Sequence, residues 1–146
     1  MSVNLAIKRL RFLCNTIPEK LRLLSQDEFN QQVGTIWSKK QVLGHLIDSA
    51  ANNHQRFIRT QFEELPQIAY DQNNWNDHNH YNEMDEQLLI QLWQTYNIFL
   101  AEILQKIPSD NLHRTCAVKG ERFTLQFIIE DYVTHLEYHL HQLVSY

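Results

Sequence analysis

Eight histidines occur in 146 residues, and two of them, His135 and His139, are spaced so that they can act together. Four residues along a helix return to within about 40° of the starting direction, so both imidazoles project from one side and can reach a single ion. Neutral imidazole is a ligand for zinc, nickel, copper or iron. The same pair also fits two histidines tucked against a core edge, and spacing alone leaves both readings open. Asp131 and Gln142 share their side of the helix. The apolar stripe, centred near Leu125, Leu136 and Leu143, lies about 100° away. The two histidines therefore flank the core, a position that suits a site at the lip of a bundle.

A second stretch has a comparable design. Taking His45 as the origin of a helical wheel, Asn52 and Arg56 fall within about 20°, Ser49 about 40° to one side and Asp48 about 60° to the other. A polar strip of His45, Asp48, Asn52 and Arg56 runs along one edge while Leu46, Ala50 and Phe57 face the core. The strip reads either as one wall of a site or as a solvated helix face. The remaining histidines are less well placed. His78 and His80 form an H-x-H in a polar stretch, as part of a lid or second site or simply as loop residues. His54 lies opposite His45, His113 falls in a loop, and His141 projects about 160° away from His139.

Four helical segments can be read as the elements that must position these groups. The first covers roughly residues 3–16 through Leu5, Leu10, Phe12 and Leu13, and Pro18 opens a separate short turn to Leu23 or Leu24. The second follows Trp37, where Ser38 and Gln41 have capping-box spacing, and runs through Val42, Leu43, Leu46, Ile47, Ala50 and Phe57 to about residue 62. Residues 66–83, rich in Asn, Asp and His, read as one long crossover loop, and loops of that length are commonly functional or mobile. The third helix, capped by Asp85 and closed by Pro108, carries apolar residues at three-and-four spacing from Leu88 to Ile107. The fourth starts near Thr124 and continues to the C-terminus, with a short hairpin over residues 116–123 turning at Gly120. This is an all-α reading, a four-helix bundle with one long crossover loop, over a single domain 1–146. Only three Gly and three Pro leave little turn chemistry for a many-stranded sheet.

Charge and composition exclude several classes. A formal charge of −4 and a pI near 6.0 disfavour a nucleic-acid partner, whose phosphates need Lys and Arg; the short run Lys8-Arg9-Leu10-Arg11 reads as a solvated helix face. No apolar stretch approaches the ~20 residues of a membrane span, and Lys8, Arg9 and Arg11 interrupt any signal-peptide core. Cys14 and Cys116 are too few for a disulfide framework, which points to free thiols in a cytoplasmic protein.

The segment from Trp37 through His45 to Asp48-Ser49 resembles the second helix of the DinB-like, YfiT-like metalloproteins, with a tryptophan before the helix and a His-[hydrophobic]2-Asp-Ser motif. Tyr132-Val-Thr-His135-Leu-Glu-Tyr-His139 is similar to that family's closing Tyr-x-x-His-x-x-x-His pattern. Tyr70-Asp-Gln-Asn-Asn-Trp75 resembles the Tyr-Asp-Glu-x-x-Trp loop of the YfiT-like branch. Tyr138 and Gln142 depart from that branch, which has histidines at both places. The resemblance implies a four-helix bundle in which His45, His135 and His139 hold one divalent transition metal ion, nickel or zinc. It also implies thiol-dependent transferase or isomerase chemistry with a low-molecular-weight thiol such as bacillithiol or mycothiol, or a metal-dependent hydrolase.

Three neutral histidines leave coordination positions open, as a catalytic site requires. Asp48 then either orients a ligand, since metal-bound histidine usually donates its second N–H, or pairs with a basic neighbour. Arg56 either binds a carboxylate of the cosubstrate or serves as a surface charge or ion pair. Tyr70 and Trp75 either close over a substrate or anchor the crossover. The expected function is transfer of a small-molecule thiol to an electrophilic small molecule. The alternatives are hydrolysis by activated water and a non-catalytic, stress-related metal-binding protein. A homodimer is a further expectation.

Overall fold

In the computed structural model, which describes residues 1–34 and 36–146, the first helix, α1, runs Val3–Arg22 without a break although Pro18 lies inside it. The expected end near residue 16 is therefore corrected. Proline at position 18 has no N–H for the carbonyl four residues earlier, and Gln94 Nε2 donates to that Cys14 carbonyl at 3.1 Å instead. A partner on another helix thus takes the carbonyl that the proline leaves open. Buried Ala6, Leu10, Leu13, Cys14, Ile17 and Leu21 recur at three-and-four spacing and give α1 its inward face.

A short helix, α2 (Gln26–Asn30), and a two-stranded antiparallel ribbon, β1 (Gln32–Val33) with β2 (Trp37–Ser38), lead into α3 (Lys39–Arg59). Ser38 and Gln41 form the expected capping box, each satisfying the other's backbone N–H. The helix ends at Arg59, seven residues before Pro66. Arg114 donates to the carbonyls of Thr60 and Glu63 just beyond it, satisfying acceptors that a helix end leaves open.

The crossover is more structured than its composition predicts. It contains a helix, α4 (Gln72–Asn79), and a 3-10 turn at Tyr81–Glu83. Asp71 caps α4 by accepting from the Asn74 N–H. Asn76, the one buried residue of α4, donates to the Gln41 carbonyl at 2.8 Å. Helix α5 (Glu86–Gln105) starts from its Asp85 cap, and the hairpin β3 (Thr115–Val118) and β4 (Glu121–Thr124) turns at Lys119 and Gly120, both at positive φ. The hairpin also receives the start of the crossover, since Ile68 and Ala117 N–H groups bond across to Ala117 and Pro66 carbonyls. Helix α6 (Leu125–Leu143) follows its Thr124 cap.

The long helices α1, α3, α5 and α6 form the four-helix bundle, in which α1 and α3 each pack against α5 and α6. Fully buried Leu, Ile, Phe and Trp side chains such as Leu43, Phe57, Trp93 and Leu100 fill its centre, each contributing about 1.5–3 kcal/mol by leaving water. Two polar links fix the register. Tyr132 donates to Asn97 Oδ1 at 2.5 Å between α6 and α5, and Lys40 pairs with Glu86 at 3.2 Å where α3 meets the start of α5. Cys14 and Cys116 are free and buried. Among the described residues, no helix is long and apolar enough to cross a membrane.

Candidate metal centre

The adjacent helices α3 and α6 bring His45, His135 and His139 together. One ligand atom from each lies within 4.8 Å of the other two. His45 is only 1% exposed, while His135 and His139 are half-buried toward the bundle edge. Ring centroids are 5.3 Å apart for His45–His135, 4.8 Å for His45–His139 and 4.6 Å for His135–His139, all edge to face. Trp37, from β2, covers His45 on another side at 4.8 Å.

The donor chemistry fits a cation. His139 Nδ1–H donates to Gln142 Oε1 at 2.8 Å, which leaves the lone pair on Nε2. That Nε2 stands 3.1 Å from His135 Nε2; two nitrogens each ~2.0–2.1 Å from one ion lie roughly 3 Å apart. Both ring nitrogens of His45 are buried without a hydrogen-bond partner, an arrangement that costs about 1–3 kcal/mol per unsatisfied group unless something occupies it. Burial, reinforced by His139 and His135, pushes the His45 pKa down to about 3. Burial lowers that of His135 too, with His139 adding to the effect and Asp131 opposing it. Both rings are therefore held neutral, the form that binds metal.

Asp48 makes a different contact from either one expected of it. Its Oδ1 accepts from Tyr81 Oη at 2.5 Å and Asn79 Nδ2 at 3.0 Å, so it ties the crossover to α3 and makes no hydrogen bond to His45. Its Oδ2 is buried without a partner, and burial raises its pKa to about 6 against the lowering effect of the Tyr81 hydrogen bond. Tyr81 reaches Asp48 by lying across Gly44, where an added Cβ would come within 2.1 Å of the ring. Glycine is required there for close approach.

Arg56 is half-buried farther along α3. Its Nε donates to the Ile68 carbonyl at 3.1 Å and its Nη1 to Asn53 Oδ1 at 3.2 Å. Burial lowers its pKa, opposed by Cys116, Tyr70 and Asp131. A polar cavity of about 150 Å³ runs from His135 to Arg56, between Ser49, Tyr70, Gln72 and Asp131. Tyr70 meets Trp75 edge to face at 5.8 Å within the crossover and lines the cavity.

The other histidines lie elsewhere. His54 bonds Tyr96 Oη at 2.9 Å, His141 stacks on Tyr146, and His78 bonds the Asn74 carbonyl within α4. His80 is the exposed, left-handed end of α4, and His113 is exposed in a 3-10 turn. Sequence reasoning missed Tyr81, Asn79 and Asn53 as site neighbours. Only the unusual density of Asn and Tyr in the crossover hinted at buried polar contacts.

The profile of the DUF1572 family, described as a protein of unknown function, matches residues 3–146. Among solved structures, YfiT from Bacillus subtilis, a probable metal-dependent hydrolase with an unusual four-helix bundle topology, superposes with a TM-score of 0.89 at 21% identity, covering 97% of this chain and 83% of YfiT. The mycothiol-dependent maleylpyruvate isomerase gives 0.81 at 11% identity over 98% of this chain, and a mutant of it 0.82 at 10% over 100%. This chain spans only 61% and 62% of the lengths of those two structures. No curated protein matches. The structural likenesses establish the bundle fold.

Proposed function

We propose that this chain, which belongs to the DUF1572 family and folds as a YfiT-like bundle, is a metal-dependent enzyme that joins a small-molecule thiol to an electrophilic carbon. The observation that carries this reading is His45, a buried imidazole with two unpartnered nitrogens that faces two further imidazoles beside a cavity. His45, His135 and His139 would hold the ion, which the DinB-like, YfiT-like resemblance implies is nickel or zinc, both of which neutral imidazole suits. When bound, such an ion supplies Lewis acidity that lowers the pKa of a thiol or a water and makes a nucleophile available near neutral pH.

The chain's own residues do the rest. Gln142 keeps the His139 Nε2 free of a proton through its bond to Nδ1. Trp37 and the α3 core shield His45 from water. The cavity beside His135 gives a small thiol a way in, and Arg56 at its other end presents a guanidinium to an acid group of a bound substrate. A new C–S bond forms as the leaving group departs or a strained ring opens, and the thiol proton passes to solvent. The mycothiol dependence of the isomerase neighbour supports a cosubstrate of the bacillithiol or mycothiol class. Hydrolysis by activated water is the second reading, favoured by YfiT, a probable metal-dependent hydrolase with a TM-score of 0.89.

The test is elemental analysis of the purified protein, followed by incubation of metal-loaded protein with several thiols and a chlorinated aromatic or an epoxide. An adduct that requires the ion and disappears in His45→Ala, His135→Ala and His139→Ala is expected. No metal-dependent adduct with any thiol overturns the transfer reading. Turnover without thiol supports the hydrolase, and bound metal without turnover leaves a non-catalytic metal-binding protein.

A further inference from the structure

Beyond the polar cavity at His135 lies a second one of about 260 Å³, formed where the β3–β4 hairpin meets the start of α6. Its walls are Val118, Phe123, Phe127 and Ile128. Phe123 and Phe127 stack with centroids 5.1 Å apart and planes 16° from parallel, and Phe127 is 47% exposed. A stacked aromatic pair thus lines the cavity, its Phe127 member open to solvent. The two cavities share Asn53, Arg56 and Asp131. Neither volume alone reaches the roughly 300–1,000 Å³ of a typical small-molecule site, but the pair does. They make one site with a polar compartment next to the histidines and an apolar compartment farther out.

Arg56 stands at the divide. Its Nε and Nη1 are engaged by a carbonyl and an amide oxygen, while Nη2 makes no hydrogen bond and no acid lies within ion-pair distance among the described residues. A half-buried guanidinium gains most from a bidentate carboxylate partner. The other charges, Lys119 and Glu121 on the outer rim and Asp131 between the two cavities, are exposed and screened by water and salt, so they compete weakly.

We propose, building on the thiol-transfer reading, that the outer compartment receives the flat, ring-bearing body of the electrophilic substrate, and that this substrate carries a carboxylate bound by Arg56. The inner compartment, next to the histidines, is left for the sulfur end of the thiol. The electrophile is accordingly an aromatic or similarly flat carboxylic acid, not a small aliphatic one.

Binding without turnover tests this. Naphthoate, naphthalenemethanol and acetate are titrated, with no thiol present, into zinc-loaded protein and into the same protein after chelation. Calorimetry gives affinity, and saturation-transfer NMR shows which ligand protons touch the protein. Naphthoate should bind more tightly than the alcohol by at least about fivefold, and acetate far more weakly, with saturation strongest on the ring. Phe127→Ala, at an exposed position that keeps the fold, should weaken naphthoate about tenfold. Arg56→Gln should abolish the preference for acid over alcohol, and Arg56→Lys should retain part of it.

Equal affinity for naphthoate and acetate, or no effect of Phe127→Ala, overturns the apolar compartment. Equal affinity for naphthoate and the alcohol, or loss of naphthoate binding on chelation, overturns the role of Arg56. These results separate from the parent reading. Ring-acid binding without any thiol adduct would end thiol transfer alone, and adduct formation without ring preference would end this inference alone.

Discussion

A neutral imidazole sealed from water with no hydrogen-bond partner is a destabilising feature unless a ligand completes it, and His45 is such a group. In metal-free protein its folded pKa of about 3 lies below the ordinary 6.5. Between these values the unfolded chain binds a proton that the native state refuses, so its contribution to stability is complete above about 6.5 and is lost as pH falls toward 3, at about 1.4 kcal/mol per pH unit. Asp48 acts with the opposite sign. Its folded pKa of about 6 exceeds the ordinary 3.8, so the native state keeps a proton that the unfolded chain releases, and stability falls as pH rises from about 4 to 6. The two slopes oppose each other in that window. Urea denaturation between about pH 4 and 6, with chelator present, should show a steeper rise of stability with pH in Asp48→Asn than in wild type. His45→Phe should show a flatter or falling curve. Curves that run parallel for all three proteins would remove both assignments. The slopes carry the test, because each substitution also shifts stability by a constant amount.

At the scale of elements, what was legible in the sequence was whatever local chemistry encodes. The Ser38–Gln41 capping box, the Asp85 cap, the helix start near Thr124 and the three-and-four apolar spacing of the four long helices all appear in the structure. Helix α4 was not legible, because it buries one residue, Asn76. It is held by hydrogen bonds from Asn76 to Gln41 and from Asn79 to Asp48 across 35 and 31 residues, which no local period records. The unbroken α1 was hidden for the same reason. Proline at position 18 argues for a helix end until Gln94 is seen to supply the missing donor to the Cys14 carbonyl. This has a measurable consequence. Gln94→Leu should cost about 1 kcal/mol by leaving that carbonyl unpaired. The same change made in a Pro18→Ala background should cost almost nothing, since the restored amide can take the carbonyl. A double-mutant cycle by urea denaturation should therefore give a coupling of about 1 kcal/mol. A coupling near zero would mean that water satisfies the carbonyl and that Gln94 matters only for packing.

Across the whole molecule, the i, i+4 spacing made the His135 and His139 pair visible, but joining it to His45 required the family resemblance. A contact across 90 residues depends on which helices become neighbours, and wheel geometry cannot fix that. The outer cavity was invisible for the same reason, since it arises only where the hairpin folds against α6. The histidines belong to two packed helices, so an ion shared among them would also act as a tether between α3 and α6. A ligand that binds only the native state stabilises it by RT ln(1 + [L]/Kd), about 2.7 kcal/mol at a hundredfold excess over Kd. At about 2–4 °C per kcal/mol for a chain of this size, zinc or nickel should raise the thermal midpoint of chelated protein by roughly 5–10 °C. His45→Ala, His135→Ala and His139→Ala should each abolish the rise, whereas His54→Ala, whose imidazole bonds Tyr96, should keep it. Gln142→Leu should reduce the rise without abolishing it, because losing the partner that orients a ligand typically weakens metal affinity by about 10–100-fold. A rise that survives in all three alanine variants would place the ion elsewhere on the molecule. No rise in wild type at millimolar metal would leave His45 as a buried histidine that the fold tolerates at a cost.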